Sequence, residues 1–101
     1  MKVEVYHAKE PNFGFKLAHF PDPKWPDEFT LVAEINSPRN NPFDALDDAY
    51  FLTNSIDKPW WEHKSVHAVV DRARSTSVGD VIIVDKIPYK VTMVGFEKIP
   101  D

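Results

Sequence analysis

His63, His67 and Asp71 stand at intervals of four, a spacing that on a helix would place three possible metal ligands on one face. The residues between them favour another backbone. Val66, Val69 and Val70 are β-branched and suit a strand, where a four-residue interval spreads ligands by about 13 Å. The order H-E-x-x-H, which would add a general base beside a metal, is missing. Ordinary surface or half-buried histidines are therefore expected, and His63, His67 and Asp71 are the only metal candidates. The chain has no cysteine, which removes disulfides, thiolate ligands and thiol nucleophiles together. Ser75, Thr76 and Ser77 lack the G-x-S-x-G setting of an activated serine, and no glycine-rich phosphate loop occurs. Asp44 with Asp47 or Asp48 offers a carboxylate pair, but at a helix start the helix dipole accounts for such acids better than acid–base chemistry does. The sequence is read as carrying no catalytic residue and no cofactor.

Two features suit binding. Trp60 and Trp61 are adjacent, so in a strand they would face opposite ways and in a loop they could diverge or both dock. One is expected in the core, closing the helix end against the sheet; an exposed partner would be an interaction anchor. Arg72 and Arg74 share a face if the segment is extended, and Ser75, Thr76, Ser77 and their backbone N–H groups follow at once, a set suited to an anion. The alternative is structural. Arg72 and Arg74 would pair with Asp71, Asp80 or the acidic helix, while Ser77 and Asp80 hold the turn by local hydrogen bonds. Trp60, Trp61, Arg72, Arg74, Ser75 and Ser77 are the candidate binding residues.

The elements that would position these residues are legible in part. Val3 and Val5 alternate with polar neighbours as in a half-buried strand. Pro11, Pro21, Pro23 and Pro26 forbid a regular ladder over 11–28, which reads as a proline-rich loop whose Phe13, Phe15, Phe20 and Trp25 pack inward. Phe29 to Ile35 is a second strand. Asn41 is expected to cap a helix with Pro42 in its first turn, a buried stripe of Phe43, Leu46, Tyr50 and Thr53, and an end at Asn54 or Ser55. Further strands are expected over 66–70, Val81 to Val84 and Tyr89 to Val94. The last two are joined by a turn at Lys86-Ile87-Pro88, and Gly95 breaks or bulges the chain before Phe96 to Ile99. The expected fold is α+β: one mainly antiparallel sheet of about five strands, one helix and the proline-rich N-terminal loop, in a single domain over residues 1–101.

Composition narrows the partner. At 101 residues, 43% hydrophobic and 28% charged, the chain suits one folded domain and is neither disordered nor membranous. The opening MKVEVYHAKE has no apolar run, and no stretch approaches the roughly 20 apolar residues of a membrane span, so a cytoplasmic, bacterial-cell location is expected. The net charge of −4 is concentrated: residues 27–57 carry seven acids against Arg39 alone. A general nucleic-acid binder is normally basic, so a protein partner is favoured and nucleic acid disfavoured.

Arg72 to Val84 (RARSTSVGDVIIV), followed by Tyr89-Lys90-Val91 and Gly95-Phe96, resembles the C-terminal half of YodL-like proteins. There a serine-rich segment precedes a strand, and a tyrosine-bearing strand ends in Gly-Phe. Ala45 to Glu62 (ALDDAYFLTNSIDKPWWE) is similar to small accessory proteins of actinobacterial phages and mobile elements. The resemblance spans Ala45 to Ile99 and implies a non-catalytic accessory protein that binds a host or phage protein as an adaptor or inhibitor. It implies no catalytic residue, and it leaves Arg74, Ser77 and Asp80 as either a shared turn or a shared surface. A small nucleic-acid or nucleotide-binding module, using Arg72, Arg74, Lys86 and Lys90, is the other reading.

Overall fold

The computed structural model describes residues 1–10, 23–54, 59–62, 64–70 and 73–100. Most of the proline-rich loop, with Phe13, Phe15 and Phe20, lies outside the described residues, as do His63, Asp71 and Arg72.

The described chain is an α+β domain with one antiparallel sheet of six strands and one α-helix. In chain order the elements are β1 (Lys2–Ala8), β2 (Phe29–Asn36), α1 (Pro42–Thr53), a single 3-10 turn (Trp60–Glu62), β3 (His67–Ala68), β4 (Val81–Val84), β5 (Ile87–Thr92) and β6 (Gly95–Lys98). The sheet order is β3-β2-β1-β4-β5-β6. The sixth strand arises because the segment after Gly95 folds back on β5 as a full hairpin arm.

Alternation in β1 sends Val3 and Val5 to the face covered by α1. Ala33 and Ile35 of β2, Ile82 and Val84 of β4, and Tyr89 and Val91 of β5 join them there, beneath Ala45, Leu46 and Ala49 of the helix. The opposite face is also partly covered: Ala8, Phe29 and Val81 pack with Tyr6, Trp25, Ile83 and Ile99. Burial on both faces explains why β4 reads VIIV without a polar residue.

The helix start follows the capping rule. The Asn41 side chain accepts the Phe43 N–H at 2.8 Å, and Pro42 occupies the first turn, where it has no hydrogen bond to lose. Its buried stripe is rotated from the expected one, being Ala45, Leu46, Ala49 and Thr53. Small alanines allow the helix to lie close to the sheet. Phe43 is instead 54% exposed, resting edge-on against Tyr89, and Tyr50 is half-buried.

Three further boundaries differ from expectation. The strand over 66–70 is only His67–Ala68. Its ladder gives way where β2 bulges at Val32, whose carbonyl takes the Val69 N–H at 2.9 Å. The β4–β5 turn is Asp85-Lys86, both with positive φ (49° and 70°), the twist that suits a two-residue hairpin; Ile87 and Pro88 belong to β5. Met93 and Val94 are not strand residues. They form the tip between paired Thr92 and Gly95, where the Thr92 hydroxyl takes the Val94 N–H and donates to the Gly95 carbonyl. Gly95 has φ 145°, which side-chain-bearing residues rarely adopt.

Candidate functional site

Polar side chains converge beneath the helix. The β2 bulge adds its extra residue to β2, so β1 keeps its alternation and His7 follows Val3 and Val5 inward. There His7 Nε2 lies 2.8 Å from Thr76 Oγ1. The Thr76 hydroxyl donates to Thr53 Oγ1 at 2.7 Å, and the Thr53 hydroxyl donates to the Ala49 carbonyl at 2.7 Å. Each hydroxyl has one proton to give, so the bond to His7 must run from imidazole to Thr76. The relay thus requires a proton on Nε2 of His7.

Burial is the main force pushing the His7 pKa down to about 4. The Asp80 carboxylate, 4.0 Å away, pulls it up but does not prevail, and the Arg74 charge adds to the depression. Arg74 explains why Asp80 cannot win: it already neutralises that carboxylate. Its two terminal nitrogens hold the two Asp80 oxygens at 2.6 Å each, a bidentate fork. Asp80 also accepts the N–H of Ala8 at 3.0 Å and of Ser77 at 2.8 Å. Arg74 reaches the Ala8 carbonyl at 3.3 Å and that of Ser75 at 3.1 Å. This one pair ties the end of β1 to the turn that launches β4. A charge pair of this depth costs desolvation on both sides, and four hydrogen bonds to one carboxylate offset it.

The composition resembles a nucleophile–base arrangement, but the site is sealed: Thr53, Thr76 and Asp80 are all 0% exposed. Thr76 Oγ1 is closed off from the surface, donating to Thr53 and accepting from His7. The network is a clamp among β1, the C-terminal end of α1 and the segment before β4, where the Thr76 N–H meets the Thr53 carbonyl at 2.9 Å. Asn54, one residue past the helix, adds a side-chain hydrogen bond to the Thr76 carbonyl.

The expected binding residues fall around this clamp. Trp60 is 2% exposed, and its indole N–H donates to the Arg74 carbonyl at 2.9 Å, so it serves the core and offers no surface anchor. Trp61 is half-buried, edge-on to Trp60 with ring centres 5.8 Å apart. Arg74 is turned onto Asp80. Ser77 gives its N–H to Asp80 and its hydroxyl to the Ser75 carbonyl at 3.2 Å, and half-buried Ser75 supplies that carbonyl. The structural alternative therefore describes Arg74 and Ser77. His67 is exposed on edge strand β3, and among the described residues no three acidic or histidine side chains are placed to hold a metal ion. No described helix is long and apolar enough to cross a membrane.

A surface feature that the sequence reading missed lies at the same end of the sheet, on the β5–β6 hairpin. Met93 is 79% exposed and Val94 98% exposed at the β5–β6 tip. Beside them runs a groove of about 240 Å³ between α1 and the hairpin, lined by Asp47, Tyr50, Val91, Met93 and Phe96. Tyr50 and Phe96 meet edge-on across it, with ring centres 6.3 Å apart. The sequence signal was Gly95 itself: it pairs with Thr92, three residues earlier, and so leaves Met93 and Val94 as a two-residue turn outside the ladder. A second groove, of about 250 Å³ on the opposite face, brings Trp25 and Phe29 together with Lys90, Glu97 and Lys98.

Comparison with protein-family models, with curated proteins and with solved structures gave no match.

Proposed function

We propose that this chain is a non-catalytic binding domain whose partner is another protein, recognised at the α1 and β5–β6 end of the sheet. One observation carries the reading: Met93 and Val94 stand 79% and 98% exposed at a tip beside a groove that Met93 lines together with Asp47, Tyr50, Val91 and Phe96. Isolated exposed apolar residues are ordinary, but a tip of two beside a groove with two aromatic rings is the composition of an interface centre. Asp44 and Asp47, exposed on the adjacent helix, give that surface an acidic rim. The resemblance to YodL-like and phage-encoded accessory proteins makes a host or phage protein the partner we propose. The test is affinity capture with wild-type protein and with Met93→Asp and Val94→Asp variants, each shown to be folded by circular dichroism. A partner held by wild type and lost by both variants supports the reading; equal capture by all three contradicts it.

The second reading, nucleic-acid or nucleotide binding, has one favourable observation. Trp25, Lys90 and Lys98 share a groove, and an aromatic ring flanked by lysines suits a stacked base and its phosphate. Glu97 in the same groove and the net charge of −4 oppose it. Binding of a single-stranded oligonucleotide that weakens steeply with salt and with Lys90→Ala would favour it over the first.

A further inference from the structure

The sheet has two edges, and they are unequal. Strand β3 offers two residues; β6 offers four, next to the apolar groove. The Ile99 N–H bonds to the Pro88 carbonyl at 2.9 Å, so odd-numbered backbone groups here turn toward β5. By alternation, the N–H and C=O groups of Phe96 and Lys98 point outward, and no described residue pairs with them.

A second copy of the chain is a poor occupant of this edge. Antiparallel self-pairing over the whole of β6 sets Glu97 opposite Glu97, and pairing centred on Lys98 sets lysine opposite lysine. Centring on Phe96 avoids both but keeps only three strand residues before the hairpin tip intervenes. Like charges directly opposite make both of the longer antiparallel registers unfavourable. The same charges become favourable when the added strand carries their complements.

Resting on the protein-binding reading above, we propose that β6 accepts an antiparallel strand from a different polypeptide whose sequence runs acidic, basic, apolar, any, apolar from its N-terminus. The acid lies opposite Lys98 and the base opposite Glu97. The first apolar residue lies opposite Phe96. The second, two positions on, shares its face and reaches Val94 and Met93 at the tip. Backbone hydrogen bonds to Phe96 and Lys98 supply adhesion, and the charge order sets register and excludes the protein's own edge.

The test uses the full chain, labelled with nitrogen-15, and an acetylated, amidated peptide Thr-Glu-Lys-Ile-Thr-Val-Thr. Saturable shifts at the Phe96 and Lys98 amides, with Met93 and Val94 following, are expected. Exchanging Glu and Lys in the peptide is expected to weaken binding roughly tenfold. N-methylation of the peptide's Ile, whose N–H faces β6, is expected to abolish binding, whereas N-methylation of its Lys, whose N–H faces away, is tolerated. Shifts confined to β3 or to Trp25, Phe29 and Lys90 without Phe96, no saturation at millimolar peptide, or equal affinity for the two charge orders would overturn the proposal. So would self-association that protects the Phe96 and Lys98 amides from exchange. If every peptide fails while protein capture still depends on Met93 and Val94, strand addition falls and the binding reading stands. If capture ignores the hairpin variants, the binding reading itself falls.

Discussion

The clamp where β1 finishes and β4 starts, and the β5–β6 tip that lies two strands away at the same end of the sheet, reverse the usual partition of side chains in opposite senses. Beneath α1, charged and polar groups are fully buried: Asp80, Thr76 and Thr53 are 0% exposed. At the β5–β6 tip, apolar groups stand in water: Val94 is 98% and Met93 79% exposed. The buried set resolves its anomaly internally, since each hydroxyl and carboxylate oxygen has a protein partner and no buried side-chain polar atom among the described residues lacks one. Met93 and Val94 have no comparable internal resolution. A satisfied exception to the burial rule is a structural device; the unsatisfied one is the place where the proposed partner would dock. Arg74, Trp60 and Ser77 looked functional in the sequence and bond within the clamp, while Met93 and Val94 looked like strand and lie in water at the tip.

The contrast can be broken most forcefully at Asp80. Asp80→Ala removes the carboxylate that balances the Arg74 charge and accepts two backbone N–H groups, and the expected loss of stability is about 3–5 kcal/mol. Urea unfolding of the variant checks it. In a double-mutant cycle, Arg74→Ala and Asp80→Ala are expected to cost less together than the sum of the two singly, because both break one network.

Acid should loosen the same clamp through His7. Its folded-state pKa of about 4 lies below the ordinary 6.5, so between those values the unfolded chain binds the extra proton. The His7 contribution to stability is complete above pH 6.5 and falls as the pH drops toward 4, by about 3 kcal/mol in total. Urea midpoints across that range, compared for wild type and His7→Gln, isolate it: the variant is expected to start lower and to fall less steeply with acid.

A smaller effect is expected at Thr76. Thr76→Val removes the acceptor for the His7 N–H and the donor for Thr53, costing about 1–3 kcal/mol. The smallest effect on stability belongs to the tip. Val94→Asp changes a side chain that is 98% exposed and is expected to shift the unfolding free energy by no more than about 0.5 kcal/mol.

Much of the scaffold was legible because its signals are local. Asn41 before Pro42 fixes a helix start within three residues, and Val81 to Val84 has the β-branched density of a strand buried on both faces. The helix stripe was misread because alanine carries little hydrophobic signal: Ala45 and Ala49 are buried by their smallness, while Phe43 beside the cap was too bulky to ignore. The clamp was only half legible. Arg74 and Asp80 are six residues apart and were among the foreseen pairs, but His7 and Thr76 are 69 apart, and no local pattern joins them. His7 did show one sign, sharing the parity of Val3 and Val5. The exposed tip was hidden by composition, since Tyr89 to Val94 reads as an unbroken strand until the positive φ of Gly95 is known.

The most direct test of the account sets the two regions against each other in one experiment: partner capture and urea midpoint, measured side by side for Val94→Asp and Thr76→Val. The account expects Val94→Asp to lose the partner at an unchanged midpoint, and Thr76→Val to keep the partner at a lowered one. Retention of the partner by Val94→Asp, with its loss from a still-folded Thr76→Val, would contradict it and return the site to the clamp.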